Sequence, residues 1–238
     1  MRNVYYIAKR ELGTYFASPI AYVVAAIYLA VVGGLSGFIL YFSREATMRY
    51  VLTHGVTLLF TVLVTQVLTM RLLADERRVG TLELLVTSPV RDWEIIVGKY
   101  LASLAVFLVM ILLTAYFPVL LGRIGDPDWG PLLSGYLGYG LLGAALLAVG
   151  VFASSLTQNQ VVAAVIGMGI TLMLWLSGAL EELVGESMSR VVAYMPIFAH
   201  YTDMVRGVID TSDIIYYLSL VMIFLFLSTR VLESGRWK

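Results

Sequence analysis

The sequence predicts an all-α integral membrane protein with six transmembrane helices. Of its 238 residues, 60% are hydrophobic and only 13% are charged, whereas soluble domains are about half apolar and about a quarter charged. Six runs without Asp, Glu, Lys or Arg are long enough to cross the ~30 Å hydrocarbon core of a bilayer as helices. Because the bilayer core holds no water to satisfy backbone N–H and C=O groups, runs of this length must be helical.

The six predicted spans form a single transmembrane domain over residues 1–238. They cover residues 20–42, 51–70, 100–121, 132–155, 161–180 and 214–229, and the last, which is short, is expected to extend into its flanks. Cytoplasmic loops retain Lys and Arg. With the N-terminus inside, eleven basic residues lie on the cytoplasmic side and five outside. We therefore expect a multi-pass protein of the cell's inner (cytoplasmic) membrane with both termini cytoplasmic.

An amphipathic helix is predicted for residues 3–17, ahead of the first span. Its apolar residues fall on one side of a helical wheel and Lys9 and Arg10 on the other, a pattern typical of helices that lie at the membrane interface. Ser18-Pro19 is expected to end it. Glu11 projects near the apolar side, which indicates either a polar partner on another element or a side chain that snorkels to the headgroups.

The 29-residue cytoplasmic loop from Arg71 to Lys99 holds ten of the 32 charged residues. We predict two short helices, the first continuing out of the second span and the second following a bend at Gly80-Thr81 and ending at Pro89. The second helix carries leucines at positions 82, 84 and 85 that neither the bilayer nor an internal core covers. They contact another surface or, in a solvated connector, rest against the headgroups.

A second long segment, residues 181–213, lies outside the membrane and is rather apolar. Residues 191–199 are too few to span the bilayer, too hydrophobic for a free loop and interrupted by Pro196. This segment is therefore expected to lie at, or dip into, the outer interface.

Motifs that would give the chain catalytic chemistry of its own are missing. It lacks GxxxxGK[ST], which would cradle the phosphates of ATP, as well as HExxH and GxSxG, and it has no cysteine. Its 16 basic and 16 acidic residues balance, which excludes a strongly basic nucleic-acid-binding protein. We expect no catalytic residue, no metal, no cofactor bound by this chain and no nucleic-acid partner.

The second span carries a stripe of threonines at i+4 spacing, a pattern that drifts by only ~40° per turn and so covers one sector of the helix. The stripe consists of Thr53, Thr57, Thr61, Thr65 and Thr69, with Gln66 beside the fourth. The candidates for a polar substrate path or a dimer interface are Thr57, Thr61, Thr65 and Gln66. Alternatively, each hydroxyl bonds to its own i−4 carbonyl while the methyl groups pack on neighbouring helices.

Three function classes stay open at the level of composition. The six spans hold no Asp, Glu, Lys or Arg, which argues against proton coupling. A secondary carrier could still hold sodium with carbonyls and hydroxyls. A membrane scaffold could recruit a cytoplasmic partner through the loop between the second and third spans. An ATP-driven transporter would need its ATPase on a separate chain.

The loop resembles a known signature. Residues 76–85, Glu-Arg-Arg-Val-Gly-Thr-Leu-Glu-Leu-Leu, precede Ser88-Pro89-Val90 and the run Glu-Ile-Ile-Val-Gly-Lys of residues 94–99. Together they resemble the E-x3-G-T-x-E-x-L…P…GK signature of the ABC-2 type transporter permeases. Residues 9–22 and 196–210 resemble the gliding-motility-type branch of that family, so that the resemblance covers the whole length.

The resemblance implies a permease subunit of an ATP-binding-cassette transporter, which the family expectation makes an exporter. Such a subunit dimerises with a second copy or a related permease and binds separate ATP-binding-cassette ATPase subunits, which hold ATP and Mg. An auxiliary membrane protein is a further candidate partner.

The resemblance also assigns roles to segments outside the spans. In the family the N-terminal helix lies at the cytoplasmic surface, the loop between spans two and three is the coupling helix that docks on the ATPase, and short outer helices lie between spans five and six. The positions carried over as ATPase-coupling residues are Glu76, Arg77, Gly80, Thr81, Glu83 and Leu85. Gly80 would allow the bend, and Glu83 would offer a charge to a basic ATPase surface.

Overall fold

The structure, a computed structural model, describes residues 2–43, 47–81, 90–125, 127–178 and 194–234, and within these ranges its regular secondary structure is helical. Eleven helices are described there: α1 Arg2–Ala17, α2 Pro19–Ser43, α3 Arg49–Thr53, α4 Gly55–Thr69, α5 Ala74–Val79, α6 Asp92–Thr114, α7 Tyr116–Ile124, α8 Trp129–Leu156, α9 Gln160–Leu176, α10 Ile197–Val205 and α11 Thr211–Ser234.

The all-helical membrane architecture is confirmed. Five stretches are long and apolar enough to cross a membrane, namely Pro19–Phe42, Gly55–Val79, Asp92–Arg123, Trp129–Leu156 and Thr211–Ser234. The predicted fifth span corresponds to α9, which is apolar but has only 17 residues, and residues 179 and 180 lie outside the described ranges. The layout with six spans therefore stays a prediction.

Several helices begin or end away from the predicted span limits. Span two was expected from residue 51, but α4 begins at Gly55 because His54 is extended (φ −65°, ψ 132°) and its Nδ1 accepts a hydrogen bond from Val56 N at 3.3 Å. Span three was expected from residue 100, and α6, the helix that contains it, begins earlier, at Asp92. As expected, α11 extends beyond residues 214–229 on both sides.

The N-terminal helix and its end at Ser18 are confirmed. α1 stops at Ala17, and Pro19 begins α2, where a proline costs no hydrogen bond because the first N–H groups of a helix have no intrahelical partner. Much of the predicted apolar side is covered: Val4, Ile7 and Tyr15 are buried, whereas Phe16 is exposed.

The central helix of the bundle is α8, which contacts α3, α4, α5, α6, α9, α10 and α11. In the apolar stretch of α8 that could cross a membrane, 72% is buried inside the protein, whereas the corresponding share is 17% for α2 and for α11. Such close packing needs small residues. The ring of Phe107 packs against Gly143 and the side chain of Thr69 packs against Gly150. In both places a Cβ on the glycine would overlap the neighbouring side chain.

Different short helices lie at the two ends of the bundle. At one end, which we call the α1 end, α1 and α5 lie with the beginning of α6, the end of α8 and the beginning of α9. At the other, the α10 end, α3 and α10 lie against the beginning of α8, and Tyr201 donates a hydrogen bond to Leu52 O at 3.2 Å. α10 is a short, well-packed helix in the expected outer segment, of which residues 181–193 lie outside the described ranges.

Candidate functional site at the α1 end

The described part of the predicted coupling loop begins with α5. Glu76 and Arg77 lie on this helix, and Gly80 ends it with a left-handed backbone (φ 79°), a conformation that glycine adopts without steric cost. The chain thus bends where the sequence predicted a bend. Thr81 follows, and its hydroxyl donates to Glu76 O at 3.4 Å. Glu83 and Leu85, together with the leucines at 82 and 84, lie outside the described residues.

Two polar side chains attach α5 to the bundle. Ser154 of α8 accepts hydrogen bonds from the backbone N–H groups of Leu73 and Ala74 at 3.0 and 3.1 Å, and it donates to Met70 O at 2.9 Å. It therefore caps the turn between α4 and α5, where backbone groups have no helical partner. In addition, Gln160 at the start of α9 donates to Asp75 Oδ1 at 2.8 Å.

Four charged side chains from three helices form what we call the charge cluster: Arg10, Glu11, Glu76 and Lys99. Lys99 Nζ lies 2.8 Å from Glu11 Oε1 and 2.9 Å from Glu76 Oε1. An Arg10 guanidinium nitrogen lies 2.9 Å from the same Glu11 oxygen and 3.2 Å from the same Glu76 oxygen. The cluster therefore joins α1, α5 and α6 with two positive and two negative charges.

Burial makes this cluster different from surface ion pairs. The Lys99 side chain is 1% exposed and that of Glu11 12%. Burial opposes ionisation of Glu11, but the neighbouring Lys99 and Arg10 outweigh it and hold the pKa of the Glu11 carboxyl below its usual range. The sequence left open whether Glu11 snorkels or has a polar partner on another element, and the structure shows the partner, Lys99 of α6.

Close packing at Gly98 brings α1 to the cluster. A Cβ at this position would lie 2.8 Å from Ile7 Cγ2 and 3.1 Å from Val4 O, so only glycine lets α1 approach α6 this closely. Asn3 also donates to Glu94 Oε2 at 3.0 Å. The two residues of the Gly-Lys pair at the end of the sequence signature thus have different structural roles. Gly98 allows α1 to approach α6 closely, and Lys99 pairs with Glu11 and Glu76.

The C-terminal end of α1 is tied to the end of α4. Tyr15 is buried and donates a hydrogen bond to Leu68 O at 2.5 Å. The guanidinium of Arg71 lies 4.6 Å from the centroid of the Tyr15 ring and donates to Ser18 Oγ at 3.2 Å. These contacts place Arg71 at the junction of α1, α2 and α4.

An open cavity of about 540 Å³ lies between α1, α5 and the start of α6. Its lining mixes both signs of charge with a few apolar groups and consists of Arg10, Glu11, Thr14, Arg71, Leu72, Asp75, Glu76, Val79, Thr81 and Lys99. Three of the predicted coupling positions therefore lie near one another: Glu76 and Thr81 line the cavity, and Gly80 connects them. Arg77, half-buried, lies on the same short helix.

The predicted polar stripe lies elsewhere, inside the bundle between α4, α8 and α9. Thr57, Thr61, Thr65 and Gln66 are all buried. Thr61 donates to Thr57 O at 2.7 Å and Thr65 to Thr61 O at 2.9 Å, the i−4 bonding that formed one of the two alternatives. Gln66 Nε2 donates to Leu146 O of α8 at 3.3 Å, and its Oε1 lies against Gly167 of α9.

Sequence reasoning quoted Arg10 and Lys99 as motif residues without assigning them a role, and it did not single out Ser154 or Gln160. Glu11 alone gave a local indication, because a carboxylate near an apolar helix face either has a polar partner or snorkels to the headgroups. For Lys99 the only indication was its place in the Gly-Lys motif. Ser154 and Gln160 show no local pattern, since their partners, 84 and 85 positions away, are set by tertiary packing.

In a comparison with known families, residues 41–232 match a family described as ABC-2 family transporter protein. No curated protein matches the chain. The family match does not distinguish the gliding-motility-type branch, which stays a prediction. Because the match covers most of the chain and the structure is a bundle of apolar helices, the chain belongs to the ABC-2 transporter family and is a multi-pass membrane permease of an ABC transporter.

Proposed function

We propose that this permease dimerises with a second copy or a related permease and exports its substrate with energy from separate ATP-binding-cassette ATPase subunits. ATP and Mg bind to those subunits. The observation that supports this function is the charge cluster, in which Lys99 Nζ lies within 2.9 Å of both Glu11 and Glu76. It connects the first helix of the coupling loop to the interfacial helix and to a spanning helix.

The attachments of α5 make it a suitable element to transmit force. Its N-terminal turn is held by Ser154, its Asp75 by Gln160 and its Glu76 by Lys99. A push on the loop would therefore act on α8, α9 and α6 together. We propose that ATP binding draws two cassettes together, that each moves its coupling loop, and that the spanning helices then open a path outward.

The coupling positions have distinct roles in this proposal. Glu76 anchors α5 through the charge cluster, and Gly80 sets the bend after it. Arg77 and Thr81 lie beside them, while Glu83 and Leu85 follow in the part that meets the ATPase. The leucine would enter an apolar depression, and the carboxylate would face a basic surface.

The buried stripe is proposed to form a polar track or a dimer interface through Thr57, Thr61, Thr65 and Gln66. They are buried within this chain in the described conformation. Exposure of the track would therefore require α4 to separate from α8 and α9, which is the kind of motion that the three attachments of α5 could drive.

The test is purification of the tagged permease from its native membrane in mild detergent. We expect a cassette ATPase at about one copy per permease, because the coupling loop of each permease would hold one. Glu83→Arg should weaken this association without preventing membrane insertion. Asp203→Arg is the matched control, since Asp203 is exposed on α10 at the opposite end.

Three results would contradict the proposal. Unchanged co-purification with Glu83→Arg would remove the coupling role of that residue. Transport that depends on an ion gradient without any ATPase would identify a secondary carrier. Stable binding of a cytoplasmic partner without flux would identify a scaffold.

A further inference from the structure

An apolar groove lies at the α1–α2 junction, against α6. Its volume is about 160 Å³, and its walls come from α2 and α6, with Tyr15 at the α1 side. The lining includes Ala21, Tyr22, Ala25, Val109, Met110 and Leu113. The alanines leave a space on α2 that a larger side chain would fill. The apolar lining suits a hydrocarbon chain.

A positive charge lies next to the groove. The guanidinium of Arg71 lies over the ring of Tyr15, a residue that also lines the groove. Arg71 donates a hydrogen bond to Ser18, which holds it at the start of α2. A guanidinium fixed at two points loses little conformational entropy when it binds an anion. It is therefore a preorganised cation at the corner between α1 and α2.

The charge of Arg71 is not neutralised by a carboxylate. Glu11 and Glu76 are paired with Lys99 and Arg10. Asp75 is paired with Arg78 at 3.6 Å and accepts from Gln160. Within the described ranges, no carboxylate lies within 4.0 Å of Arg71.

We propose that the corner of α1, α2 and α6 binds one anionic phospholipid, with its phosphate on Arg71 and an acyl chain in the apolar groove. The charge explains the preference for an anionic headgroup, since guanidinium pairs well with phosphate oxygens. The groove explains why the ligand is a lipid rather than free phosphate. The site is independent of the ATPase, so the failure of one proposal leaves the other standing.

The experiment uses the full permease in vesicles of equal parts phosphatidylglycerol and phosphatidylcholine. The protein is extracted gently, and its retained lipids are identified by native mass spectrometry. We expect enrichment of phosphatidylglycerol. Arg71→Gln should lower its retention about tenfold, the effect of losing one charge-assisted hydrogen bond. Equal retention by wild type and Arg71→Gln, or no headgroup preference, would overturn the proposal.

Two matched controls separate the site from general effects of charge and shape. Arg230 also lies over an aromatic ring, that of Phe226 at 4.9 Å, but it is paired with Glu233 at 2.8 Å. Arg230→Gln should therefore leave lipid retention unchanged. An equal loss with Arg230→Gln would mean that any exposed cation attracts the lipid, and the site would be refuted.

The groove is tested apart from the charge. Ala25→Leu fills it and should lower retention while Arg71 stays in place, whereas Ala26→Leu changes the neighbouring, exposed position and should not. Excess inorganic phosphate should fail to displace the lipid. If phosphate displaces it, or if Ala25→Leu and Ala26→Leu behave alike, the ligand is not held in the groove and the proposal fails.

Discussion

Gly98 and Ile7 determine how closely α1 lies against α6, because a Cβ at Gly98 would come 2.8 Å from Ile7 Cγ2. One position further along α6, Lys99 reaches Glu11, which is one turn beyond Ile7 on α1. Packing and charge pairing thus occur on adjacent residues. If the first is disturbed, the second should weaken as well.

Gly98→Ala should therefore displace α1 and destabilise the permease. Overpacking costs about 1–3 kcal/mol, offset in part by the ~1 kcal/mol that alanine gains over glycine in a helix. The measurement is thermal unfolding in detergent together with the rate at which a protease cleaves α1. We expect a lower unfolding midpoint and faster cleavage.

Gly13→Ala is the control for this substitution. Gly13 also lies in α1, but nothing lies within 4 Å of a Cβ built there. Its replacement should be neutral or stabilising, by up to ~1 kcal/mol. If Gly98→Ala and Gly13→Ala gave the same midpoint, the close contact with Ile7 would not set the position of α1.

Lys99→Met should destabilise the α1 end strongly. It leaves Glu11 and Glu76 close together with only Arg10 to compensate them, and removal of one partner from a buried pair typically costs about 3–5 kcal/mol. Unfolding by denaturant in detergent measures the loss. Arg78→Met is the control, because Arg78 makes an exposed pair with Asp75 that contributes at most ~1 kcal/mol. Similar losses for both variants would show that the cluster does not hold these helices.

The charge cluster also predicts how stability depends on pH. The pKa of Glu11 lies below its ordinary value of 4.5, so the folded protein holds its proton less tightly than the unfolded chain. The stabilisation is fully present above that ordinary pKa and is lost as the pH falls through the lowered value. Between pH 8 and about 5, Glu11 should contribute a constant amount.

Comparison with Glu11→Gln isolates this effect from other acid effects. The variant should unfold at a lower temperature than wild type at neutral pH, and the gap should close as the pH drops below about 4. Glu233→Gln, which changes an exposed carboxylate of α11, should show little gap at any pH. A gap for Glu11→Gln that stays constant down to pH 3 would mean that its ionisation is not what stabilises the cluster.

Patterns with a local physical cause could be predicted from the sequence. The absence of charge over long runs identified the membrane helices, Ser18-Pro19 placed the end of α1, and Gly80 placed the bend after α5. The break at His54 was missed. No charged residue and no proline marks it, so hydropathy continued the span to residue 51 although the backbone turns there.

The candidate site was only half predictable for a related reason. The position of Glu11 indicated a polar partner as one of two alternatives, but not that Lys99, 88 residues away, would supply it. Such pairs depend on which helices are neighbours, and the sequence pattern of one helix does not contain that information. The threonine stripe shows the same limit, since its period indicated a common face but not that α8 and α9 would cover it.

Single replacements within the stripe should have unequal effects on stability. Thr61 shares a hydrogen bond with Tyr139 of α8, whereas the hydroxyl of Thr65 bonds only to carbonyl oxygens of its own helix within the described residues. Thr61→Val should therefore cost about 0.6–1.7 kcal/mol, the range for hydrogen bonds between membrane helices, and Thr65→Val less than ~0.5 kcal/mol. Unfolding in detergent measures both.

The small cost at Thr65 makes this residue the better probe of function. Thr65→Val keeps the shape of the side chain and removes only the hydroxyl, so a change in activity cannot be attributed to misfolding if the unfolding midpoint is unchanged. Reconstituted with the proposed cassette ATPase, the variant should transport more slowly if the stripe lines a path. Equal transport and equal stimulation of ATP hydrolysis would show that the hydroxyl serves packing alone, because nothing but the polar group distinguishes the two proteins.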